Sequence, residues 1–218
     1  MIVDIWSDIA CPWCYIGKRR FEAALARFEH RDEVDVRWRS FELDPGAPAV
    51  REGAYVERLA AKYGVTLAEA EATIDTMIEA GAGHGVVLRF DKVNPGNTFD
   101  AHRLLYLARE RGVQHDVKER LLRAALTTGA PVADVGVLVS LAADAGLDPA
   151  EARRVVEGEG FAAEVRDDER LAVELGITSV PFFVVAGTLG VAGAQPPELL
   201  LDVLNEGWAE TGAATQSS

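Results

Sequence analysis

The chain has 218 residues, and its 22 basic and 35 acidic side chains give it a formal net charge of −13 and a pI near 4.8. This charge repels nucleic-acid phosphates and anionic lipid, so neither nucleic acid nor a membrane surface is an expected partner. No apolar run is long enough to cross a membrane, and the first residues lack the basic segment of a secretory signal. We therefore expect a cytoplasmic protein, in which a disulfide is usually transient and catalytic.

The N-terminal part of the chain has the pattern of a strand, a helix and a second strand. Residues 1–6 form a short apolar run, and residues 34–43 alternate apolar and charged side chains with the period of a strand. Between them, residues 15–29 space their apolar side chains at helical intervals, with charges on the other side. The sequence thus predicts a β-α-β unit at the start of the chain.

Both cysteines of the chain lie where the first strand meets the first helix, in the segment Cys11-Pro12-Trp13-Cys14. Two cysteines placed at random would have this spacing in on the order of one such chain in a hundred. A disulfide across so short a loop removes little entropy from the unfolded chain, so stability explains the pair poorly. The spacing is typical of a dithiol that cycles with a disulfide, or of half a zinc site.

A zinc site would need two more ligands, which would have to be carboxylates or histidines. The four histidines do not show the short His-x(3–5)-His spacing of a zinc module; they are His30, His84, His102 and His115. We therefore predict a redox-active dithiol and no metal, with a zinc site and an inert pair as the alternatives.

The middle and the end of the chain have different patterns. From about residue 51 to residue 158, the apolar side chains recur almost throughout at the intervals of a helix. A helix at 161–176, a hairpin over "PFFVVAG" and "TLGVAG", and a last helix over "PPELLLDVLNEGWAE" follow. We predict an α/β fold in which residues 1–48 and 159–218 form one discontinuous domain, and residues 49–158 form an inserted all-helical domain.

Four segments taken together indicate a family: "CPWCYIG", "NTFDAHRLLYLA", "GITSVPFFVV" and "VAGAQPPELLLDVL". With them the chain resembles the DsbA-type members of the thioredoxin superfamily, and among these the FrnE-like group of dithiol–disulfide oxidoreductases. The resemblance implies a thioredoxin-like sheet interrupted by a helical domain, in agreement with the pattern above. It also implies a cis peptide bond between Val180 and Pro181 that faces the cysteines. The backbone of Val180 would then bind an extended substrate strand.

The position of the cysteines assigns their roles. At the start of the helix, Cys11 faces unpaired N–H groups and the positive end of the helix dipole, which favour its thiolate. We predict that Cys11 is the nucleophile and that Cys14, one turn into the helix, is the resolving thiol. Pro12 suits the first helical turn. Trp13 either packs over the helix start or contacts the substrate.

Two polar residues of the segment "NTFDAHRL" complete the predicted substrate-binding or tuning residues. Asn97 or Thr98 can cap the following helix, and Asn97 is also a candidate for substrate binding. His102 is either a polar residue of the helix surface or a residue of the cleft, where an imidazole would favour the Cys11 thiolate or orient a substrate carboxylate.

The leading functional prediction is a thiol–disulfide oxidoreductase or isomerase. Its partners would be a disulfide-containing peptide, protein or small molecule, and a cellular thiol reductant or oxidant; no cofactor is expected, with glutathione as a candidate co-substrate. The alternative is a glutathione-dependent transferase or isomerase of the kappa-class or hydroxychromene-carboxylate isomerase type, and such relatives carry serine at the position of Cys11. A third interpretation is a binding module whose dithiol reports redox state. The sequence does not predict an oligomeric state.

Overall fold

The computed structural model describes residues 1–215, and its centre is a four-stranded mixed sheet. The strands are β1 (Ile2–Ser7), β2 (Asp35–Ser40), β3 (Phe182–Val185) and β4 (Leu189–Ala192), in the order β2-β1-β3-β4. β1 is parallel to β2 and antiparallel to β3, and β3 is antiparallel to β4. The N-terminal strands and the C-terminal hairpin are thus confirmed, and the two ends of the chain form one sheet.

The two faces of β1 have different roles. Val3 and Ile5 are fully buried in a core with Phe183 and with residues of the first and last helices. Trp6 points to the other face and belongs to the apolar cluster that contains the two cysteines. Because side chains alternate along a strand, β1 supports the core on one face and the region of the cysteines on the other.

Nine helices lie within residues 1–215. They are α1 (Pro12–Arg27), α2 (Tyr55–Tyr63), α3 (Leu67–Ala82), α4 (Phe99–Glu110), α5 (Gln114–Arg123), α6 (Val135–Asp144), α7 (Pro149–Glu157), α8 (Ala162–Glu174) and α9 (Pro197–Thr215). A π-helical turn, Ala124–Thr128, continues α5, and a short 3₁₀ turn, Arg31–Glu33, precedes β2. None of the helices described is both long enough and apolar enough to span a membrane.

Six of these helices, α2 to α7, lie between β2 and α8, where the sequence predicts helices. α7 was not predicted as a separate helix, although Asp148 and Pro149 are the residue types that begin one. In the structure the Asp148 carboxylate accepts the Glu151 N–H at 2.7 Å. The fold is therefore the predicted thioredoxin-like α/β fold with helices inserted in its middle. The domain boundaries at 48/49 and 158/159 remain predictions.

One side chain of α5 attaches the inserted helices to the edge of the sheet. The Trp38 N–H donates to Gln114 Oε1, and Gln114 Nε2 donates to the Trp38 carbonyl, both at 3.1 Å. Gln114 therefore satisfies the N–H and the carbonyl of Trp38 on the edge strand β2, which would otherwise need water or another strand. The contact fixes the start of α5, and it brings the next turn of that helix close to the end of β1.

Candidate active site

The two cysteines occupy the first turn of α1. β1 ends at Ser7, and Cys11 is the residue that precedes Pro12, the first residue of the helix. The Asp8 carboxylate shapes this connection by accepting the Ala10 N–H at 3.2 Å. Both thiols are free; Cys11 is 5% exposed and Cys14 is completely buried. A substrate disulfide can therefore reach Cys11 but not Cys14.

The loop before β3 contacts the accessible sulfur. The Cys11 thiol donates to the Val180 carbonyl at 3.6 Å. The Val180–Pro181 peptide bond is cis, so the conformation that the family resemblance implies is confirmed, as is its position beside the cysteines. The N–H of Val180 has no acceptor among residues 1–215, which leaves it free to bind a substrate backbone.

Gly17 allows this loop to approach α1, a requirement that the sequence analysis did not identify. A Cβ at position 17 would lie 2.7 Å from Pro181 Cγ and 3.5 Å from Ala194 Cβ. The first distance is shorter than side chains tolerate, so only glycine lets Pro181 pack at this point of the helix. The signal in the sequence was the glycine in the middle of a helical pattern, in "CPWCYIG".

Burial makes the two thiols chemically different. Burial raises the pKa of Cys14 well above its usual value, and the hydrogen bond to Cys11 and the charge of Cys11 raise it further. Cys14 therefore keeps its proton beside a Cys11 thiolate. A protonated resolving thiol must lose its proton before it attacks, so a nearby group has to accept that proton.

Lys118 is a functional candidate that the sequence analysis missed. Its side chain, one turn after Gln114, is fully buried, and its ammonium donates to the Ser7 carbonyl at 3.4 Å. Burial lowers the pKa of Lys118 to about 8, although the negative charges of Cys14, Asp8 and Cys11 raise it. No carboxylate lies within ion-pair distance of this lysine in the part of the chain that the structure describes.

His102 and Asp8 form a buried polar pair at the connection between β1 and α1. His102 Nε2 is 3.4 Å from Asp8 Oδ1, and the other carboxylate oxygen accepts the Leu43 N–H at 2.7 Å. Burial alone would raise the pKa of Asp8, but the hydrogen bond and charge of His102 and the backbone N–H groups lower it overall.

Neither position that the sequence suggested for His102 is observed. The ring is completely buried, because it pairs with a carboxylate that is itself buried, so it lies neither on an exposed helix face nor in an open cleft. A direct contact with substrate does not fit this position. An effect on the cysteines through Asp8, which holds the residues just before Cys11, remains a prediction.

Asn97 is engaged with the backbone. The Phe99 N–H donates to Asn97 Oδ1 at 2.9 Å, and Asn97 Nδ2 donates to the Pro45 carbonyl at 3.1 Å. Its side chain thus satisfies the first N–H of α4, while Thr98 makes no capping bond with its side chain. Asn97 does not line the cavity beside the cysteines, so its role in substrate binding remains a prediction.

An open cavity of about 730 Å³ begins at Cys11. Pro12 and Trp13 form part of its wall on the side of α1, so Trp13 occupies a position from which it can touch a bound molecule. Val180 and Pro181 are not part of this wall. The opposite wall comes from the inserted helices α2 and α3 and includes Tyr55, Arg58, Leu59, Lys62, Tyr63 and Met77.

Tyr55 places a phenol in this cavity, which sequence reasoning also missed. Its ring packs on Phe90, with centroids 4.7 Å apart. Burial raises the pKa of Tyr55, and the negative charge of Cys11 raises it further. The phenol therefore keeps its proton, and its hydroxyl is a donor with no acceptor among the described residues. No periodicity identifies such a residue, because the side chain comes to the same cavity as Cys11 only in the folded chain.

The same region offers no ready-made metal site. Within residues 1–215, no three histidine, cysteine, aspartate or glutamate side chains are grouped as a metal ion would require. What the site does hold is a sulfur pair, a buried amine and a phenol beside one open cavity.

Comparison with known proteins identifies the family. The sequence profile of the DSBA-like thioredoxin domain matches residues 2–205, and the chain belongs to this family. It is similar to the crystal structure of a probable DsbA oxidoreductase, SCO1869, from Streptomyces coelicolor, with 47% identity, a TM-score of 0.91, and coverage of 96% of this chain and 91% of that one. The narrower FrnE-like assignment remains a prediction.

Two more distant structures share the fold. One is the cytosolic disulfide reductase DsbM from Pseudomonas aeruginosa, solved with GSH, at 18% identity, a TM-score of 0.64, and coverage of 99% of this chain and 100% of that one. The other is a 2-hydroxychromene-2-carboxylate isomerase, at 13% identity, a TM-score of 0.68 and full coverage of both chains. At these identities the likeness concerns the fold alone.

The contact between Gly17 and Pro181 is tested by Gly17→Ala. The overlap costs about 1–3 kcal/mol, which exceeds the gain of about 0.5–1 kcal/mol that alanine brings to a helix interior. We expect a lower free energy of unfolding in guanidinium chloride. Gly160→Ala is the control, because its added Cβ would lie 3.7 Å from the nearest atom. Equal stability of the two variants would contradict the close contact.

Proposed function

We propose that the protein is a thiol–disulfide oxidoreductase in which Cys11 attacks and Cys14 resolves. The observation that carries this proposal is the difference between the two sulfurs: Cys11 opens onto the cavity, and Cys14 is buried behind it. Membership in the DSBA-like family supports the reaction class. The cytoplasmic location remains a prediction.

The reaction needs only sulfur chemistry. The Cys11 thiolate, at the N-terminus of α1, attacks one sulfur of a substrate disulfide, and the S–S bond breaks to release the first product thiol. Cys14 then loses its proton and attacks the Cys11 sulfur, which releases the second product thiol and leaves a Cys11–Cys14 disulfide. Two electrons pass from the protein to the substrate without a cofactor. A cellular thiol, with glutathione as a candidate, restores the dithiol, and an oxidant drives the reverse direction.

The loop before β3 would hold a peptide substrate. The N–H of Val180 has no acceptor among residues 1–215, and the adjacent Pro181 has no N–H to offer. An extended peptide that carries the disulfide can accept the Val180 N–H as a neighbouring strand would. The same arrangement keeps the substrate sulfur near Cys11, which touches the Val180 carbonyl.

Lys118 is the proton acceptor for Cys14 in this proposal. With a pKa of about 8, its amine is neutral in about one molecule in ten at pH 7. The neutral form removes the Cys14 proton, and the resulting ammonium stabilises the new thiolate in a buried site. Because α5 belongs to the inserted helices, these helices would take part in the chemical step.

Replacing Lys118 should therefore slow resolution more than attack. In a stopped-flow reaction with Ellman's reagent, the first thionitrobenzoate reports attack by Cys11 and the second reports resolution by Cys14. For Lys118→Met we expect the second phase to slow by about tenfold or more at pH 7, with the first changed by less than about threefold. In the wild type the second phase should accelerate as the pH rises through about 8, because deprotonation supplies the amine.

Lys118→Arg separates proton transfer from charge alone. Arginine keeps the positive charge but does not lose its proton in this pH range. Restoration of the second phase by arginine would contradict the role as proton acceptor. The exposed Lys92→Met serves as the matched control, and we expect both phases to stay unchanged in that variant.

Trapping tests the roles of the two cysteines. Cys14→Ser should accumulate mixed disulfides on Cys11, because the resolving thiol is missing, and Cys11→Ser should accumulate few. The readout is the mass of the acid-quenched protein before and after reduction. Protein adducts would indicate protein substrates, and an added mass of glutathione alone would indicate small thiols. An unmodified Cys14→Ser protein, with a wild type that still turns over disulfides, would contradict Cys11 as the attacking thiol.

The same variants separate the glutathione-dependent alternative. In a transferase or isomerase of that type, the residue at position 11 activates glutathione and forms no mixed disulfide, so a serine can serve. Cys11→Ser should then keep conjugation or isomerisation activity. Under our proposal it loses disulfide exchange, because a hydroxyl cannot form the intermediate.

A further inference from the structure

The wall of the cavity opposite Cys11 carries two cations one helical turn apart, Arg58 and Lys62. The Arg58 guanidinium donates only to backbone carbonyls, including that of Val93 at 3.2 Å. The Lys62 ammonium lies 5.8 Å from the Tyr63 ring centroid. Among the described residues, neither side chain has a carboxylate within ion-pair distance.

The cavity is thus positive in a protein whose net charge is −13. Its lining includes a third cation, Arg51, and one carboxylate, Asp44, and these two pair at 2.8 Å. Arg58 and Lys62 therefore supply the positive charge of the cavity lining that Asp44 does not neutralise. Burial lowers the pKa of Arg58, and the positive charge of Arg51 lowers it further. A bound anion would relieve that repulsion, because opposite charges favour the ionised form.

The rest of the cavity suits a small organic molecule. Leu59, Met77 and Trp13 supply apolar surface to the same cavity as the cations and Cys11. A volume of about 730 Å³ lies within the range of small-ligand sites, which combine apolar walls with a few polar groups. An occupant that fits has a sulfur at Cys11, a short apolar body and an anionic group that reaches α2.

We propose that this cavity selects small disulfides that carry carboxylate groups, which Arg58 and Lys62 bind while Cys11 attacks the S–S bond. The proposal rests on the function proposed above. Cys11 and the near sulfur form a mixed disulfide, and the far half leaves as a carboxylate-bearing thiolate that takes a proton from water. Cys14 then displaces the second half. The two protein thiols are oxidised to one disulfide, and the substrate is reduced to two thiols.

A charge series of disulfides that share a two-carbon spacer between sulfur and the polar group tests the selectivity. The probes are 3,3′-dithiodipropionate with two negative charges, bis(2-hydroxyethyl) disulfide with none, and cystamine with two positive charges. Each rate of oxidation of the reduced protein, from rapid acid quench and alkylation, is divided by the rate of the same disulfide with 2-mercaptoethanol. We expect the normalised rates to fall from the dianion to the neutral compound to the dication, over about tenfold or more.

Charge removal on α2 should abolish this order. In Arg58→Gln/Lys62→Gln we expect the dianion to react about tenfold more slowly, and the neutral disulfide to stay within about twofold. The control Lys92→Gln/Arg120→Gln removes the same charge from exposed positions outside the cavity, and it should keep the wild-type order. Arg58→Glu/Lys62→Glu should reverse the preference towards cystamine.

The outcomes separate the two proposals. Equal normalised rates in the wild type, or an unchanged order in Arg58→Gln/Lys62→Gln, would overturn the selectivity and leave disulfide exchange intact. A reduced protein that reacts with none of the three disulfides would overturn the proposed function as well.

Discussion

The chemistry of this protein depends on a difference in burial between two sulfur atoms in the first turn of one helix. Cys11 is open to a cavity, whereas Cys14 is completely buried, and this burial raises the pKa of Cys14 well above its usual value. The sheet positions both sulfurs, because α1 begins at Pro12, shortly after β1 ends at Ser7, and the loop at Val180 contacts Cys11. If both thiols were exposed, either could attack, and the order of the two steps would be lost.

The inserted helices contribute further residues to the site around the two cysteines. The hydrogen bonds between Gln114 and Trp38 attach α5 to the edge of the sheet, and Lys118 follows one turn later, where its ammonium donates to the Ser7 carbonyl at the end of β1. On the open side, α2 supplies Tyr55, Arg58 and Lys62. The proposed proton transfer and substrate selection would therefore fall to a part of the chain far in sequence from the two cysteines.

Local pattern was enough to predict much of the fold and the reactive pair. Alternation predicted β2, helical spacing predicted α1, and the separation of Cys11 and Cys14 predicted their chemistry. The cis bond before Pro181 came from the family resemblance, because the base rate for such bonds is low. These features are local, or are carried by a motif, so the sequence shows them directly.

The residues that escaped prediction owe their position to long-range packing. Lys118 follows the buried helical face of Gln114 and Leu121, but a lysine is ordinarily assigned to the surface. His102 is buried, where it pairs with the carboxylate of Asp8, which lies 94 positions away in the sequence. Tyr55 and Cys11 line one cavity only because the folded chain brings α2 and the start of α1 to the same site. A spacing rule within one segment cannot report a contact between two distant segments.

Equilibrium oxidation of the dithiol tests the central claim most directly. The protein is incubated in a series of thiol–disulfide buffers, quenched with acid and alkylated, and the modified thiols are counted by mass spectrometry. The account predicts that Cys11 and Cys14 lose their thiols together in one two-electron transition, with a tenfold change in the oxidised-to-reduced ratio for each change of about 30 mV. Two thiols that stay reduced throughout, or a Cys11 that forms only stable adducts with the buffer thiol, would contradict it.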